Sequence, residues 1–327
     1  MLGYIARRLV ATIPVMAVVA ITVFMLLRLT TDDPAAIIAG DNATSQDVAA
    51  IRTKLGLDRP IAQQFVIWIG NVVRGDFGES FFFKKPVAEL IAGRLQPTLS
   101  LAICTLILAV SMAVPLGVVA AWRRGGWIDR GVMGLAVLGF SVPTFVVGYV
   151  LIYLVAIQLG WLPVQGYQRL EEGVGGFLER LILPSITLAT IYVALIARIT
   201  RASVLEVLNA DHVRTARAKG LGDLAVLVRH VLRNAAVPIV TVIGLGVALL
   251  IGGVVVTESV YAIPGLGRLT VDAVLARDYP TIQAVVLVFS VVYVIINPSV
   301  EVASRLTVDQ LEAFLAAIVG FYFGARS

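Results

Sequence analysis

Residues 95–122 read LQPTLSLAICTLILAVSMAVPLGVVAAW, a run of 28 residues without Asp, Glu, Lys or Arg. An α-helix rises about 1.5 Å per residue, so roughly 20 residues cross a hydrocarbon core about 30 Å thick. This run is therefore long and apolar enough to span a lipid bilayer as one helix.

Five further stretches lack the same four residue types, at 9–27, 131–168, 181–197, 234–257 and 279–300. The longest, of 38 residues, contains Gly160, Trp161 and Pro163, which predict one span over 131–159 followed by an interfacial turn. The 327-residue chain is 59% hydrophobic and 14% charged, whereas soluble proteins have about 45–50% and about 25%. We therefore predict an all-α membrane protein with six transmembrane helices.

The distribution of Lys and Arg predicts how these spans are oriented. The short loops on one side carry 12 basic residues and those on the other side carry 4. Because cytoplasmic loops are enriched in Lys and Arg, both termini are predicted to be cytoplasmic and the protein is predicted to be multi-pass. The long loop after the first span, 30–95, is then extracytoplasmic.

The N-terminal apolar stretch, 9–27, is a retained helix or the core of a signal peptide. Its 19 residues exceed the ~7–15 of a signal-peptide core, which favours a retained first helix within 1–29. In the outer loop, the amphipathic stretches 45–55 and Ile61–Val73 favour a small folded cap on the membrane over a separate binding domain.

The most informative segment is the cytoplasmic loop 198–235, which carries seven basic and three acidic residues. Helix-forming residues continue to Lys219, Gly220-Leu221-Gly222 then break the pattern, and Asp223 is placed to cap a second helix. The second helix has apolar residues at helical spacing, namely Leu224, Leu227, Val228, Val231 and Leu232.

Three interpretations of this basic loop compete. It faces lipid headgroups, it binds nucleic acid, or it docks onto a cytoplasmic protein. Nucleic-acid binding is disfavoured because no aromatic residues alternate with the bases. Docking is favoured by the small residues Ala216, Ala218 and Gly220, which let another protein approach the backbone closely.

Several chemistries are excluded by missing residues. None of the four lysines lies in the Gly-Lys-Ser/Thr sequence of a P-loop, so the chain is predicted not to bind and hydrolyse ATP by itself. His212 and His230 have no cysteine partner for a metal site, and neither is at membrane depth to activate Ser141. Cys104 is expected to be a small packing residue of the second span. We predict no enzyme activity.

The predicted spans also lack the acidic, basic and histidine residues that ion-coupled carriers place in the membrane. This argues for transport powered by a separate protein, while a stand-alone channel or an ion-coupled secondary transporter stays open as the alternative. Glu258, at the outer end of the fifth span, and Ser141 and Pro143 are the candidate pathway or gate residues.

Residues 211–221, DHVRTARAKGL, together with RHVLRNA at 229–235, resemble the EAA loop of binding-protein-dependent ABC permeases. Within this family the chain is most similar to the B-type subunit of dipeptide/oligopeptide/nickel importers. Further stretches agree, namely LGLDRP at 55–60, GDFGES at 75–80, PTL at 97–99, TE at 257–258 and PGLG at 264–267. The chain departs from the family at 31–34, which reads TDDP, and at 297–301, which reads NPSVE.

The resemblance implies the fold of a type I ABC importer permease in the bacterial inner membrane, and a role in peptide uptake. It implies a heterodimer with a C-type permease, two cytoplasmic ABC ATPases that hold ATP and Mg²⁺, and an extracytoplasmic substrate-binding protein. This chain itself is expected to bind no cofactor, and to contact membrane lipid but no nucleic acid. The residues expected to couple to the ATPase are Asp211, His212, Arg214, Thr215, Ala216, Arg217, Ala218, Lys219, Gly220 and Leu221.

The expected boundaries follow from these assignments: the first helix ends at 29, the outer loop at 95, and a permease core over 96–304 precedes a tail at 305–327. In the tail, Thr307 and Gln310 have the spacing of a capping box, and an apolar run of ten residues follows at 314–323. Ten residues are too few to span a bilayer. We expect an amphipathic helix on the inner face, with a shifted gene end or a docking contact as alternatives.

Overall fold

The structure, a computed structural model, describes residues 2–29, 35–36, 44–54 and 56–296. The regular elements of this part of the chain are helical, apart from one isolated β-bridge between Glu79 and Pro86. The chain divides into two compact units, one comprising Gly70–Val285 and the other Met1–Ile69 with Val286–Ser327. The tail at 305–327 and the departures at 31–34 and 297–301 lie outside the described residues.

The helices before residue 170 are α1 (Leu2–Leu29), α2 (Ser45–Lys54), α3 (Ile61–Val73), α4 (Val87–Trp122), α5 (Trp127–Ser141) and α6 (Thr144–Leu151), which a π-helix (Ile152–Gln158) continues. After a 3₁₀ turn (Leu170–Glu172) come α7 (Val174–Leu208), α8 (Asp211–Ala218), α9 (Asp223–Ala225), a second π-helix (Val226–Leu232), α10 (Arg233–Val260), α11 (Leu266–Leu275) and α12 (Tyr279–Ile296). The amphipathic stretches predicted in the outer loop are therefore helices α2 and α3.

Within the described part of the chain, three segments are long and apolar enough to cross a membrane, namely Val87–Trp122, Val174–Leu208 and Asp223–Val247. The pair α5 and α6, extended to Gln158, makes a fourth if it counts as one span. The predicted spans at 9–27 and 279–300 fall on α1 and α12, which contain shorter apolar segments among the residues described. The all-helical fold is confirmed, and the six-span topology stays a prediction.

The span predicted over 131–159 is not one straight helix, because α5 and α6 meet at an angle of 104°. The bend follows from Pro143, which has no backbone N–H and disfavours helical geometry at the residue before it. Val142 accordingly has an extended backbone, with ψ of 124°. The predicted turn after this segment is confirmed: the π-helix ends at Gln158, and Gly160 has a φ of +64°.

Helix α7 is the most buried helix of the larger unit, and close contacts fix it against its neighbours. A Cβ atom on Gly117 of α4 would lie 2.6 Å from the carbonyl oxygen of Ala197. A Cβ on Gly139 of α5 would lie 3.0 Å from the carbonyl oxygen of Thr190. Only glycine permits these approaches, so α4 and α5 both pack backbone-close on α7.

In the smaller unit, an aromatic cluster joins α1 to α3. The ring centroid of Phe24 lies 5.1 Å from that of Phe65 and 5.4 Å from that of Trp68. Edge-to-face and tilted rings at such distances add to the stabilisation that comes from burying their apolar area.

Candidate functional site

The docking segment, residues 211–221, consists of α8 and the glycine turn that follows it. Val213 is 0% exposed and Ala216 is 5% exposed, so one face of α8 is buried within the chain. The rest of its surface is exposed and carries two bases, Arg214 and Arg217, and a third exposed base, Lys219, follows at the start of the turn. Of the residues predicted to contact an ATPase, all except Ala216 are exposed: Asp211, His212, Arg214, Thr215, Arg217, Ala218, Lys219, Gly220 and Leu221.

The burial of Ala216 corrects one step of the prediction. Its methyl group packs into the chain's own core, so it provides no space for a partner to approach. Ala218 and Gly220, the other small residues, are exposed and do leave the backbone accessible. Three- and four-residue spacing on a helix explains the difference, because it places residue 216 on the same face as Val213.

Beneath the docking segment lies a buried apolar cluster that connects it to the long helices. Val213 and Ala216 share this cluster with residues of α4, α7, the second π-helix and α10. The other buried members are Val118, Ala121, Val204, Val226, Val231, Ala235 and Ile239. Helix α8 therefore packs directly against the ends of three membrane-length segments.

The predicted second helix forms after the glycine turn, but Asp223 is its first residue and not its cap, and only part of the predicted apolar set is buried. Val226 and Val231, five residues apart, are both 0% exposed, as the i to i+5 period of a π-helix requires. Leu224 and Val228, predicted on the buried face, are 73% and 58% exposed. Asp223 caps nothing with its side chain, because the cap position is occupied by Gly222.

The charged side chains of the docking segment form only weak pairs. Arg217 lies 3.7 Å from the Asp223 carboxylate and 6.0 Å from the ring centroid of Trp122, and Arg214 lies 3.6 Å from Asp211. All four charged side chains are at least 48% exposed. Exposed pairs contribute about 0–1 kcal/mol, so these bases can exchange their partners for acids on another protein.

The turn of the docking segment requires glycine because of its backbone conformation. Steric crowding is not the reason. Gly220 has a φ of +81°, and no atom lies within 4 Å of the position that a Cβ would take. The turn is closed by hydrogen bonds from the Gly220 N–H to the carbonyl oxygen of Arg217 (2.9 Å) and from the Leu221 N–H to that of Ala216 (3.3 Å). A side chain at position 220 would point into the open space beside the exposed bases.

At the other end of α10, Glu258 lies in a buried polar cluster. It is 0% exposed; the Thr98 hydroxyl donates to its Oε1 (2.6 Å) and the Arg268 N–H to its Oε2 (3.0 Å). The Leu266 N–H donates in turn to the Thr98 hydroxyl (2.8 Å). A Cβ on Gly265 would overlap the Glu258 carboxylate. Three stretches singled out in the sequence, at 97–99, 257–258 and 264–267, thus form one site.

Ser141 and Pro143, the other candidate pathway residues, lie far from this cluster in sequence and flank the bend between α5 and α6. Both are exposed, and the Ser141 hydroxyl donates to the Val137 carbonyl oxygen at 2.9 Å. Ser141 and Pro143 therefore lie at an open surface, whereas Glu258 is enclosed by its hydrogen-bond partners.

Two buried carboxylates were not predicted as sites. Asp278 is 0% exposed and accepts hydrogen bonds from the Ser80 hydroxyl (2.5 Å), the Phe81 N–H (3.0 Å) and the Thr281 hydroxyl (2.7 Å). Asp129 is 4% exposed and binds Arg201 through both oxygens. Ser80 falls within the GDFGES stretch at 75–80, so one residue of the Asp278 cluster lay in a recognised motif. No motif pointed to Asp278 itself or to Asp129.

Residues 113–310 match the family described as "Binding-protein-dependent transport system inner membrane component", and residues 1–102 match "Binding-prot-dependent transport system membrane comp, N-term". The chain belongs to this family. Other permeases match this permease along nearly its whole length.

One relative is the "Probable peptide ABC transporter permease protein y4tP" of Sinorhizobium fredii, 54% identical over 93% of this chain and 97% of the relative. Another is the "Glutathione transport system permease protein GsiC" of Escherichia coli strain K12, 44% identical over 92% and 96%. A chain of the solved MetNI methionine ABC transporter, in an inward-facing conformation, superposes with a TM-score of 0.54 at 17% identity. That superposition covers 66% of this permease and 95% of the other chain, and it supports the fold alone.

Proposed function

We propose that this permease is one of two membrane subunits of an ATP-driven importer of peptides, in a size range that includes glutathione. The proposal extends to this chain the substrates named for its relatives, y4tP and GsiC. The observation that carries the coupling mechanism is the docking segment, whose exposed bases lie over an apolar cluster shared by α4, α7 and α10.

In this mechanism, two partner ATPases bind ATP and Mg²⁺ on the cytoplasmic side, and this chain supplies no catalytic group. The exposed face of α8, with Arg214, Arg217 and Lys219, enters a groove on one ATPase and pairs with acidic side chains there. When nucleotide binding draws the ATPases together, α8 moves with its partner. The apolar cluster carries that movement to the long helices, which switch from inward-facing to outward-facing.

The second half of the pathway is a related C-type permease, and an extracytoplasmic binding protein delivers the peptide and largely determines which peptide is transported. We assign six spans with both termini in the cytoplasm. The exposed bend at Ser141 and Pro143 is the proposed pathway surface. Glu258 is the proposed gate residue, holding the outer end of α10 against α4 through Thr98.

The proposal is tested by purifying the tagged chain from its native membrane and by measuring uptake in a deletion strain. We expect a second permease and two ATP-hydrolysing subunits to copurify, and uptake of labelled dipeptide or glutathione to be lost on deletion and restored by the gene. Copurification without loss of uptake would instead support a scaffold that takes no part in transport.

A further inference from the structure

A cleft of about 350 Å³ opens between α4, α5 and α7 and ends at the bend between α5 and α6, where Val142 and Val147 line it. This is within the size range of small-molecule sites, about 300–1,000 Å³. Thr190 is the only polar residue that lines it, and its hydroxyl is engaged by the Thr187 carbonyl oxygen at 2.7 Å. The lining includes Leu108, Met112 and Leu116 of α4, Leu135 of α5, and Ile186 and Ala197 of α7.

The cleft has the length of one lipid leaflet. From Ile186 to Ala197, α7 rises about 16 Å, and half of a hydrocarbon core is about 15 Å. Leu135 and Leu138 on the rim are 66% and 59% exposed, so the cleft is open along its side. An extended hydrocarbon chain fits such a groove in both length and chemistry.

The cytoplasmic end of the cleft is basic. Arg201 follows Ala197 by one turn of α7, and Arg123 follows the stripe of Met112 and Leu116 on α4. Arg201 is occupied by Asp129, with bonds of 2.5 and 2.8 Å from its Nε and Nη2. Arg123 and its neighbour Arg124, both exposed, form no ion pair within 4 Å with any acid among the residues described.

The α4–α5 turn that carries these arginines is fixed and lies at the level of a membrane interface. The Gly125 N–H donates to Asp129 Oδ2 at 2.9 Å, so one carboxylate holds both the turn and Arg201. Trp127, the first residue of α5, is 81% exposed. Exposed Trp beside Arg is typical of the headgroup region of a bilayer.

We infer that this cleft binds an anionic phospholipid of the inner leaflet. Its phosphate pairs with Arg123 and Arg124, and one acyl chain lies along Leu108, Met112 and Leu116. Guanidinium groups match phosphate oxygens in charge and geometry, and the apolar wall replaces the surrounding lipid tails. The inference rests on the proposed orientation in the membrane, which places this turn on the cytoplasmic side, and not on the transported substrate.

The test is native mass spectrometry of the complete transporter, taken from nanodiscs that contain equal amounts of phosphatidylglycerol and phosphatidylcholine. We expect the unmodified protein to retain phosphatidylglycerol preferentially. One basic residue at a membrane surface corresponds to roughly a fivefold change in binding, so Arg123→Gln should lower this retention about fivefold. Arg130→Gln is the matched control: it removes the same charge from the first turn of α5, where helical spacing places it on the opposite side of the helix from Leu135.

A second variant leaves the charges intact. Met112 is 47% exposed, so Met112→Trp fills the cleft without entering the core and should also reduce phosphatidylglycerol retention. Equal retention of both lipids, equal effects of the two arginine variants, or no effect of Met112→Trp would each overturn the inference. So would a photocrosslinker at position 135 that reacts with the second permease and not with lipid.

Discussion

Gly220 offers a test of how the docking segment recognises its partner, because two substitutions there differ by one charge alone. Its φ of +81° costs an ordinary L-residue about 1–2 kcal/mol, and Asn and Asp tolerate it best. No atom lies within 4 Å of the added Cβ, so neither side chain causes a clash. Gly220→Asn and Gly220→Asp should therefore fold equally well.

The expected difference comes from the negative charge. In Gly220→Asp a carboxylate lies beside Arg217 and Lys219, where it neutralises a base and faces the acids that those bases would meet. Like charges juxtaposed at an interface cost several kcal/mol, which is more than about 100-fold in affinity. We expect Gly220→Asn to keep ATP-dependent uptake within a few-fold and Gly220→Asp to abolish it.

The assay is uptake of labelled substrate by cells that contain equal amounts of each variant in the membrane, with thermal unfolding of the purified transporters as the control for folding. Equal uptake by the Asn and Asp variants would refute the electrostatic reasoning. Normal uptake by the Asp variant would remove Gly220 from the docking surface altogether.

Two further predictions concern stability, measured by thermal unfolding in detergent. Gly265→Ala should destabilise the protein by about 3 kcal/mol, because its methyl group displaces the buried Glu258 carboxylate. Gly252→Ala is the control: position 252 lies inside α10 with no atom within 4 Å of the added Cβ, so the better helix propensity of Ala should stabilise the protein by roughly 0.5–1 kcal/mol. Equal destabilisation by the two variants would argue against the overlap. Asp129→Asn should lower the free energy of unfolding by about 2 kcal/mol, because Arg201 loses a bidentate partner. Adding Arg201→Gln should recover part of that loss. If the effects of the two substitutions simply add in the double variant, the two side chains are not coupled.

Much of the helical organisation was predictable from the sequence because missing charges are a simple, additive signal. The second and fourth predicted spans, 95–122 and 181–197, lie within α4 and α7. The helix-turn-helix of the docking loop was likewise predictable, since Gly220 supplies a backbone conformation that other residues adopt poorly.

The details that failed depend on contacts between distant residues. The regular α-helical period included Val231, which is buried, but it also included Leu224 and Val228, which are exposed, and it missed Val226, which the π-helix buries. The bend at Pro143 was not predicted because proline also lies within helices, as Pro184 does in α7. Whether a helix bends at a proline or stays straight depends on the packing around that proline.

The polar clusters were only partly predictable for the same reason. Thr98, Glu258 and Gly265 each belonged to a recognised stretch, but only the fold brings them within hydrogen-bond distance. Asp278 lies 198 residues from Ser80, and nothing in the local sequence of either residue indicates the other.

The central claim is that this permease moves solute only when a separate ATPase acts on its docking segment. It is tested most directly by reconstituting the transporter into liposomes with and without the two ATPase subunits, supplying labelled peptide and binding protein, and measuring accumulation on addition of MgATP. We expect uptake against a gradient with the ATPases present and none without them. Solute flux through this chain in the absence of any ATPase would contradict it and favour a channel or an ion-coupled carrier.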